Sequence, residues 1–421
     1  MSQVRPFTLH LLTGLLVVWL GWAAIMLGFQ ALAPMRFSLE RPDQALDWTA
    51  AETAADAHKD HPYLADPFLA GHAQWDSEYY VSIALKGYDD PAMLAVGPAS
   101  RPDAIQAAPK KQRPGWVGVD HAFLPVYPFA IGLVARPFIA LGARPVAAAV
   151  GAGVAISLAG TLAAMIALAD LARSAPAGRR AAFYLLAWPG AVFLAQVYSE
   201  GLFLGLSFGA IALVRRKAWP AAAALAAAAV FTRATGGLLL IPFLCAFITD
   251  GGLQRLRRPA PADLLAALCA FAPALAYLAW RALYGADFSF VETHYFGRGL
   301  FQIGLSLESF SDAFAVISQG PAPSAAYYLL ELTGLAAALA TAILCLRRDP
   351  TLALYSLPVL GVAVTSGSLA GALRYALSLP ALFLVPAQLG RNTAFDRLWT
   401  LAGALGLAVE TIAFTFGFWA G

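Results

Sequence analysis

Residues 195–250 read AQVYSEGLFLGLSFGAIALVRRKAWPAAAALAAAAVFTRATGGLLLIPFLCAFITD. Two long apolar runs flank the basic triplet Arg215, Arg216 and Lys217, and each run contains one short polar string, VYSE or TRATG. Basic residues between apolar segments tend to remain on the cytoplasmic side of a membrane. The stretch therefore predicts two helical hairpins whose polar tips, near 196–200 and 232–236, lie together at the outer face.

The composition of the whole chain agrees with this pattern. Of the 421 residues, 60% are hydrophobic and 13% are charged, whereas roughly 25% are charged in a typical soluble domain. Apolar runs of about 20 residues, which is the length that crosses a bilayer, recur from Thr8 onward. We therefore predict an all-α polytopic membrane protein and exclude an ordinary soluble enzyme. A net charge of only +3, without a basic stripe, also argues against nucleic-acid binding.

The charges are distributed unevenly along the chain. Residues 31–120 hold 13 of the 25 acidic residues but only 8 Lys or Arg. The positive-inside rule places this acidic stretch outside and the later basic clusters in the cytoplasm. These clusters are Arg173/Arg179/Arg180, Arg215/Arg216/Lys217, Arg255/Arg257/Arg258, Arg347/Arg348 and Arg391/Arg397. About eleven transmembrane helices follow, with the N-terminus inside, if the proline-rich residues 121–141 form a juxtamembrane helix on the outer surface.

The predicted organisation is one integral membrane domain over residues 1–421. Its segments are a first span at 8–30, a large extracytoplasmic loop with juxtamembrane helices at 31–145, core spans at 146–283, a second extracytoplasmic loop at 284–323 and C-terminal spans at 324–421. The three cysteines, Cys245, Cys269 and Cys345, lie in apolar runs without the spacing of a zinc site or a disulfide framework.

Several polar residues that are costly at membrane depth fall near the outer face, and together they indicate a site. Asp76 is predicted to cap the helix that begins in SEYYVSIALKGY and to act as a general base. Arg233 needs an anionic partner, for which Glu200 and a lipid phosphate are both candidates. Arg374 also needs an anionic partner if it is buried, although snorkelling of its side chain to the membrane interface explains it equally well.

The other candidate substrate-binding residues are Arg298, His121, Tyr127, Trp75 and Tyr198. Taken singly, any of these polar groups is explained as well by interfacial anchoring or by an interhelical pair. His58, His61 and His72 are explained by a solvated acidic loop, and we predict no metal site from them.

Five strings resemble, in order and spacing, the PIG-V-like mannosyltransferases, the family of the second mannosyltransferase of glycosylphosphatidylinositol synthesis and its bacterial relatives. The strings are QWDSEYYVSIALKGY at 74–88, HAFLPVYPF at 121–129, the stretch AQVYSE to LLLIPF at 195–243, YGADFSFVETHYFGRG at 284–299 and LRYALSLPALFL at 373–384. The sequence departs from the family at Ser77, Glu78 and Tyr79 after the WD pair, and in TRATG, which lacks the proline common after the arginine.

The resemblance implies a GT-C type glycosyltransferase with about eleven spans, in a bacterial inner membrane, with its active site facing the periplasm. Its donor would be polyprenyl-phosphate-mannose and its acceptor a lipid or glycan. Asp76 matches the acidic residue that serves as the base in such enzymes, and Arg233, with Arg374 or Arg298, would stabilise the departing phosphate. A single displacement with one base implies inversion at the anomeric carbon, and no compact set of acids requires a divalent metal.

Three alternatives remain at this stage. In the first, the protein is still a glycosyltransferase with a lipid-linked donor but transfers another sugar, such as arabinose or glucose. A lipid-linked saccharide transporter or flippase also has many spans, although transporters usually have repeated halves and polar groups near the midplane. The third alternative is an assembly subunit without catalysis.

Overall fold

The computed structural model describes residues 9–36, 66–91, 93–101, 107–109 and 115–418, most of which are helical. Its α-helices are α1 Leu9–Arg36, α2 Pro67–His72, α3 Ser77–Lys86, α4 Val126–Ala140, α5 Pro145–Leu171, α6 Ala175–Leu186, α7 Glu200–Arg215, α8 Trp219–Val230, α9 Leu240–Thr249, α10 Gly252–Arg255, α11 Pro261–Ala270, α12 Ala272–His294, α13 Ile303–Gln319, α14 Ala322–Leu346, α15 Pro350–Val364, α16 Ala372–Ala376, α17 Pro380–Leu389 and α18 Thr393–Thr415. Short 3-10 helices are Gly87–Asp89, Val119–Ala122, Pro189–Ala195 and Ala234–Leu239.

Four of these helices, α1, α5, α14 and α18, are long and apolar enough to cross a membrane. Two bent pairs raise the number to six within the described part of the chain. One pair joins the 3-10 helix Pro189–Ala195 to α7 at 99°, and the other joins α11 to α12 at 50°. Five shorter apolar helices are also present among the described residues. The prediction of an all-α, multi-pass membrane protein is confirmed, whereas the count of eleven spans stays a prediction.

Large apolar side chains are exposed on the outer surface of the bundle, such as Ile25 in α1 and Leu401 in α18. In water such surfaces would favour aggregation, whereas a bilayer covers them at no cost. The exposed apolar faces therefore fit the membrane assignment.

The predicted extracytoplasmic loop at 31–145 contains short elements in its described part. Three antiparallel strands lie in the order β2, β1, β3, where β1 is Leu94–Val96, β2 is Ala107–Pro109 and β3 is Val117–Gly118. After β3 the chain enters α4, which is 15 residues long and packs against α3 and α5. The predicted segment boundaries remain predictions, and α12 continues past residue 283 to His294. His58 and His61 lie outside the described residues.

The closest helix contact that positions the site is between α5 and α7. A Cβ atom on Gly160 would overlap the backbone of Gly201, and one on Gly201 would overlap the carbonyl of Ser157. Small residues let the two backbones touch, as in many membrane helix pairs. Since Glu200 is the first residue of α7, this contact fixes the height and direction of its carboxylate.

The basic clusters meet at one end of the bundle, as their predicted common side requires. Arg215 pairs with Asp349 at 2.7 Å, Arg216 pairs with Asp170, and Lys217 pairs with Asp250. Further contacts join the remaining clusters to this end: Arg255 pairs with Asp250 and Asp263, Arg173 donates to the carbonyl of Arg348, and Arg180 donates to the carbonyl of Ala387. Because α7 has 16 residues, its two ends are about 24 Å apart at 1.5 Å per residue.

We expect Gly160→Ala to lower stability, because the added methyl group must separate α5 from α7 or displace the Gly201 backbone. Overpacking of this kind costs about 1–3 kcal/mol. The matched control is Gly151→Ala in the same helix, where a Cβ atom meets nothing within 4 Å. The measurement is the thermal unfolding midpoint of the purified protein in detergent. Equal midpoints for the two variants would contradict the tight contact.

Candidate active site

A cavity of about 470 Å³ lies at the end of the bundle away from the basic clusters. Four of the nine predicted site residues line it: Asp76, Arg233, Arg298 and Arg374. They come from the turn before α3, the turn after α8, the segment after α12 and α16, respectively. The hairpin tips that the sequence predicted to meet therefore do meet at one cavity.

Two of the arginines at this cavity, Arg233 and Arg374, are joined by Glu200, which lies just behind the cavity wall. One oxygen of Glu200, Oε1, accepts hydrogen bonds from Arg233 Nη1 and from Arg374 Nε. Arg374 Nη1 also donates to Asp76 Oδ2 at 3.0 Å. Glu200 and Arg374 are both buried. Because unpaired buried charges are costly, these four groups hold one another in place.

The structure corrects one prediction about Asp76. This residue precedes α3, but its side chain makes no capping hydrogen bond, so the predicted N-cap interaction is wrong. The carboxylate instead points to Arg374, since a buried guanidinium attracts it more strongly than the end amides do. The preceding residue, Trp75, has a positive φ of 54°, and its indole Nε1 donates to the carbonyl of Phe418 at 3.3 Å. Such a backbone is strained for a non-glycine residue, and strain of this kind often accompanies function.

Arg298 lies on another wall of the cavity and differs from the other two predicted arginines. Its Nη2 donates to the carbonyl of Ala370 at 2.8 Å, and its Nη1 lies 3.4 Å from Ser366 Oγ. Among the described residues, no carboxylate lies within ion-pair distance of its guanidinium. Its Cζ atom is 5.2 Å from the ring centre of Tyr375, and that of Arg233 is 5.6 Å away. Arg298 therefore keeps a positive charge available at the cavity.

Tyr198 and Tyr127 support the site from behind and do not line the cavity. The Tyr198 hydroxyl accepts from the Asp76 backbone N–H at 3.3 Å and donates to the carbonyl of Gln74 at 3.2 Å. The Arg374 Cζ atom lies 4.7 Å from the centre of its ring, a cation–π contact. Tyr127 is fully buried and bonds Ser157 Oγ at 2.8 Å. Their contacts favour a role in placing the charged groups over direct contact with substrate.

The predicted site histidine, His121, lies beside the cavity but does not line it. Its Nδ1 is 3.1 Å from Asp120 Oδ1, and its Nε2 is 4.0 Å from Asp287 Oδ2. His72 is buried, and its Nδ1 lies 2.7 Å from Gln196 Oε1. Burial lowers the pKa of His72 from its usual value to about 4, so the ring is neutral. In the described part of the chain, no three His, Cys, Asp or Glu side chains are grouped as a metal site.

Sequence reasoning missed Glu331, which fixes the segment that carries Arg374. This carboxylate is fully buried in the middle of α14. It accepts the backbone N–H of Gly371 at 3.0 Å and that of Leu373 at 2.8 Å. The Trp188 indole donates to the carbonyl of Leu373 at 2.9 Å from the other side. An acid inside an otherwise apolar membrane helix was the available signal, because such residues are rarely placed there without a role.

Three further residues at the cavity were also missed. Tyr80 donates to Ser199 Oγ at 3.0 Å, and burial raises the pKa of Tyr80 above its usual range, so its hydroxyl remains protonated. Arg233 Nη1 lies 3.3 Å from the same Ser199 oxygen. Glu292, in the last turn of α12, also lines the cavity. The strings DSEYY, VYSE and FVETHYF contain these residues, but nothing in their spacing predicts which side chains face the cavity.

We predict that Glu200→Gln destabilises the protein, because it removes the one carboxylate that pairs with Arg233 among the residues that the structure describes. Loss of one partner from a buried ion pair costs about 3 to 5 kcal/mol. The thermal unfolding midpoint should fall well below that of Glu308→Gln, an exposed glutamate in α13.

The double variant Glu200→Gln with Arg233→Gln distinguishes the effect of charge balance on stability from the effect of side-chain shape. It removes one charge of each sign and leaves the Arg374–Asp76 pair, so its midpoint should recover part of the loss. A double variant less stable than Glu200→Gln alone would mean that shape and not charge balance sets the stability of this cluster.

One similar solved structure is that of the archaeal oligosaccharyltransferase AglB from Archaeoglobus fulgidus, in complex with an inhibitory peptide and a dolichol-phosphate. The TM-score is 0.43 and the sequence identity is 13%, and the match covers 96% of this chain and 56% of the archaeal one. The chain thus spans little more than half the length of that protein. ArnT from Cupriavidus metallidurans, solved with undecaprenyl phosphate, gives a TM-score of 0.42 and 13% identity, over 97% of this chain and 75% of that one. No curated protein sequence matches the chain.

The sequence profile of one family, described as mannosyltransferase (PIG-V), matches residues 117–276. This is less than half of the chain, and it runs from β3 into α12. It includes Glu200 and Arg233, whereas Asp76 and Arg374 lie outside it. The resemblance to the PIG-V mannosyltransferases that was predicted from the sequence is confirmed by this match.

Proposed function

We propose that this protein is an inverting GT-C type glycosyltransferase that moves a mannosyl residue from polyprenyl-phosphate-mannose to a lipid or glycan acceptor. The observation that carries the proposal is the cavity in which three arginines and Asp76 meet. In the proposed orientation the cavity opens on the extracytoplasmic, periplasmic side of a bacterial inner membrane. The basic clusters at the other end of the bundle support that orientation.

The charge of the cavity suits a phosphate. Four arginines line it: Arg233, Arg281, Arg298 and Arg374. They exceed by one the carboxylates at the cavity, which are Asp76, Glu200 and Glu292. Guanidinium groups bind phosphate through paired, charge-assisted hydrogen bonds. An anion with one or two charges therefore finds a positive site that is already assembled.

The walls of the cavity suit the rest of a lipid-linked donor. Apolar side chains line the same space, among them Leu300, Val359 and Val362. Leu300 is exposed, and α15, which carries the two valines, is one of the short apolar helices of the bundle. A polyprenyl chain can follow this surface into the bilayer while its phosphate remains at the arginines. The bilayer and the lipid-linked sugar are thus the partners that the cavity fits.

In the proposed reaction, an acceptor hydroxyl attacks the anomeric carbon of the donor. Asp76 takes the hydroxyl proton, and the bond from the anomeric carbon to the phosphate oxygen breaks with its electron pair on that oxygen. The departing phosphate gains one negative charge, which Arg233, Arg374 and Arg298 stabilise. Phosphate leaves readily without protonation, so one carboxylate suffices, and a single displacement inverts the anomeric carbon.

The ion pair between Asp76 and Arg374 gives this reaction an order of events. Without donor, Arg374 Nη1 occupies one oxygen of the Asp76 carboxylate with a hydrogen bond of 3.0 Å. A phosphate that binds Arg374 competes with Asp76 for the same donors. Donor binding thus frees Asp76 to accept a proton, and in the absence of donor the base remains masked.

The experiment that tests the function measures the transfer of radiolabelled mannose from a short-chain polyprenyl-phosphate-mannose in proteoliposomes that contain a lipid extract of the host. Asp76→Asn should reduce transfer by about 10²-fold or more, because the amide cannot accept the proton. Asp312→Asn, an exposed aspartate in α13, is the matched control and should remain active.

Donor binding is measured on the same samples, so that loss of chemistry is separated from loss of fold. Full transfer by Asp76→Asn would place the base elsewhere. Absence of transfer by the wild type, with movement of the labelled donor across the bilayer, would favour the transporter alternative. Transfer of arabinose or glucose in place of mannose would change the sugar and leave the mechanism standing.

A second prediction concerns the phosphate. Arg298→Gln should weaken binding of bare polyprenyl phosphate about tenfold or more, since hydrogen bonds to charged groups contribute about 1.5–3 kcal/mol. Arg136→Gln, an exposed arginine on α4, should bind as the wild type does. Affinity is measured by titration in detergent, at two salt concentrations, and the difference should shrink as salt screens the charge. Equal affinities for the two variants would remove Arg298 from the phosphate site.

A further inference from the structure

A polar stripe on α12 lines the cavity next to the segment that carries Arg298, whose backbone N–H donates to the carbonyl of Glu292 at 2.8 Å. It consists of Ser289, Glu292 and Thr293, all of which line the cavity. Their spacing of three and four residues places them on one face of the helix. None of these residues has a role in the proposed chemistry, which uses the arginines and Asp76. The stripe is thus a polar surface with an unassigned function inside the cavity.

The carboxylate of Glu292 is the unusual member of this stripe. Among the described residues, its side chain has no hydrogen-bond or ion-pair partner, although four arginines line the same cavity. The arginines are engaged elsewhere: Arg233 and Arg374 bond Glu200, and Arg298 bonds the carbonyl of Ala370. The fourth, Arg281, donates to the carbonyl of Gly285 and to Ser289 Oγ.

The carboxylate is partly exposed at the cavity, so a ligand that enters there can supply its donors. A carboxylate accepts hydrogen bonds only. Its ligand must therefore present N–H or O–H groups, and a phosphate, which presents neither, is repelled. The cavity thus holds an acceptor for hydroxyl groups close to the arginines that suit an anion, since the Arg298 backbone N–H donates to the carbonyl of Glu292.

Aromatic rings flank the stripe. Phe288 and Phe296 line the cavity on either side of it along the chain. Phe288 packs against Trp280 with ring centres 5.0 Å apart, and Phe296 packs against Phe123 at 6.0 Å. A hexose has C–H faces that pack on aromatic rings and a rim of hydroxyl groups that need acceptors. A carboxylate between aromatic side chains matches both features.

We propose that Ser289, Glu292 and Thr293 form the subsite for the hexose of the lipid-linked donor, with Glu292 accepting hydrogen bonds from its hydroxyl groups. This inference rests on the proposed function, because the arginines must hold the donor phosphate for its sugar to reach α12. It adds a residue that selects the sugar. A hexose of the acceptor would present the same hydroxyl groups to this subsite as the hexose of the donor. The acceptor's sugar is therefore the alternative ligand.

The test compares two ligands on the full-length protein in detergent: a short-chain polyprenyl-phosphate-mannose and the same polyprenyl phosphate without sugar. Glu292→Gln should weaken binding of the mannose donor about tenfold or more, because it loses charge-assisted hydrogen bonds. Its affinity for the bare phosphate should be unchanged or higher, because a negative charge has been removed from the cavity. Glu308→Gln, exposed on α13, should match the wild type with both ligands.

Monodeoxy donors extend the test to single hydroxyl groups. In the wild type, at least one monodeoxy-mannose donor should bind as weakly as the natural donor binds Glu292→Gln. The same deoxy donor should show no further loss in the variant, because the two changes remove one interaction. Thr293→Val, which keeps the size of the side chain, should give a smaller loss with the mannose donor alone.

Three outcomes would overturn the assignment. Equal weakening of both ligands by Glu292→Gln would mean that Glu292 supports the fold or the phosphate site. An unchanged donor affinity with a raised KM for the acceptor would move the subsite to the acceptor's sugar. Full additivity of Glu292→Gln with every deoxy donor would exclude direct contact. A wild type that fails to bind the bare phosphate refutes the arginine site itself, which separates failure of the proposed function from failure of this inference.

Discussion

The site depends on one buried carboxylate oxygen that two arginines share. Glu200 Oε1 accepts from Arg233 and from Arg374, which lie 33 and 174 residues away along the chain. In a membrane interior such charges are tolerated only as a matched group, because neither water nor lipid can replace a lost partner. The start of α7, the turn after α8 and α16 are therefore drawn to one point. The glycine contact between α5 and α7 determines where that point lies.

The same constraint explains why polar groups occupy the two ends of the bundle. At one end, basic clusters pair with Asp170, Asp250, Asp263 and Asp349. At the other, the cavity holds its arginines against fewer carboxylates. A helix such as α7 separates the two by about 24 Å, at 1.5 Å per residue. At the cavity the arginines converge on one enclosed space and exceed the carboxylates there by one, which favours the binding of an anion.

Sequence patterns predicted which end of the bundle the site residues occupy better than they predicted which partner each side chain contacts. The hairpin argument brought Asp76, Glu200, Arg233 and Arg374 to one end, because basic clusters and apolar run lengths fix where each chain segment turns. It even offered Glu200 as the partner of Arg233. It could not tell that Asp76 would pair with Arg374 in place of capping α3, since that contact joins residues almost 300 positions apart. Glu331 was missed because the apolar run around it was interpreted as a span without function.

The arrangement at Asp76 also bears on why a glycosyltransferase would keep its base in an ion pair. An unpaired carboxylate beside an activated sugar would accept a proton from water as readily as from an acceptor, and the donor would be hydrolysed. In the proposed reaction, Arg374 donates to the Asp76 carboxylate until a phosphate takes over part of the guanidinium. Since Glu200 and Glu331 fix Arg374 from two further sides, the arginine does not leave the cavity when Asp76 is released. In the proposed reaction, the group that masks the base is therefore also the group that binds the leaving phosphate, and donor binding and base activation become a single event.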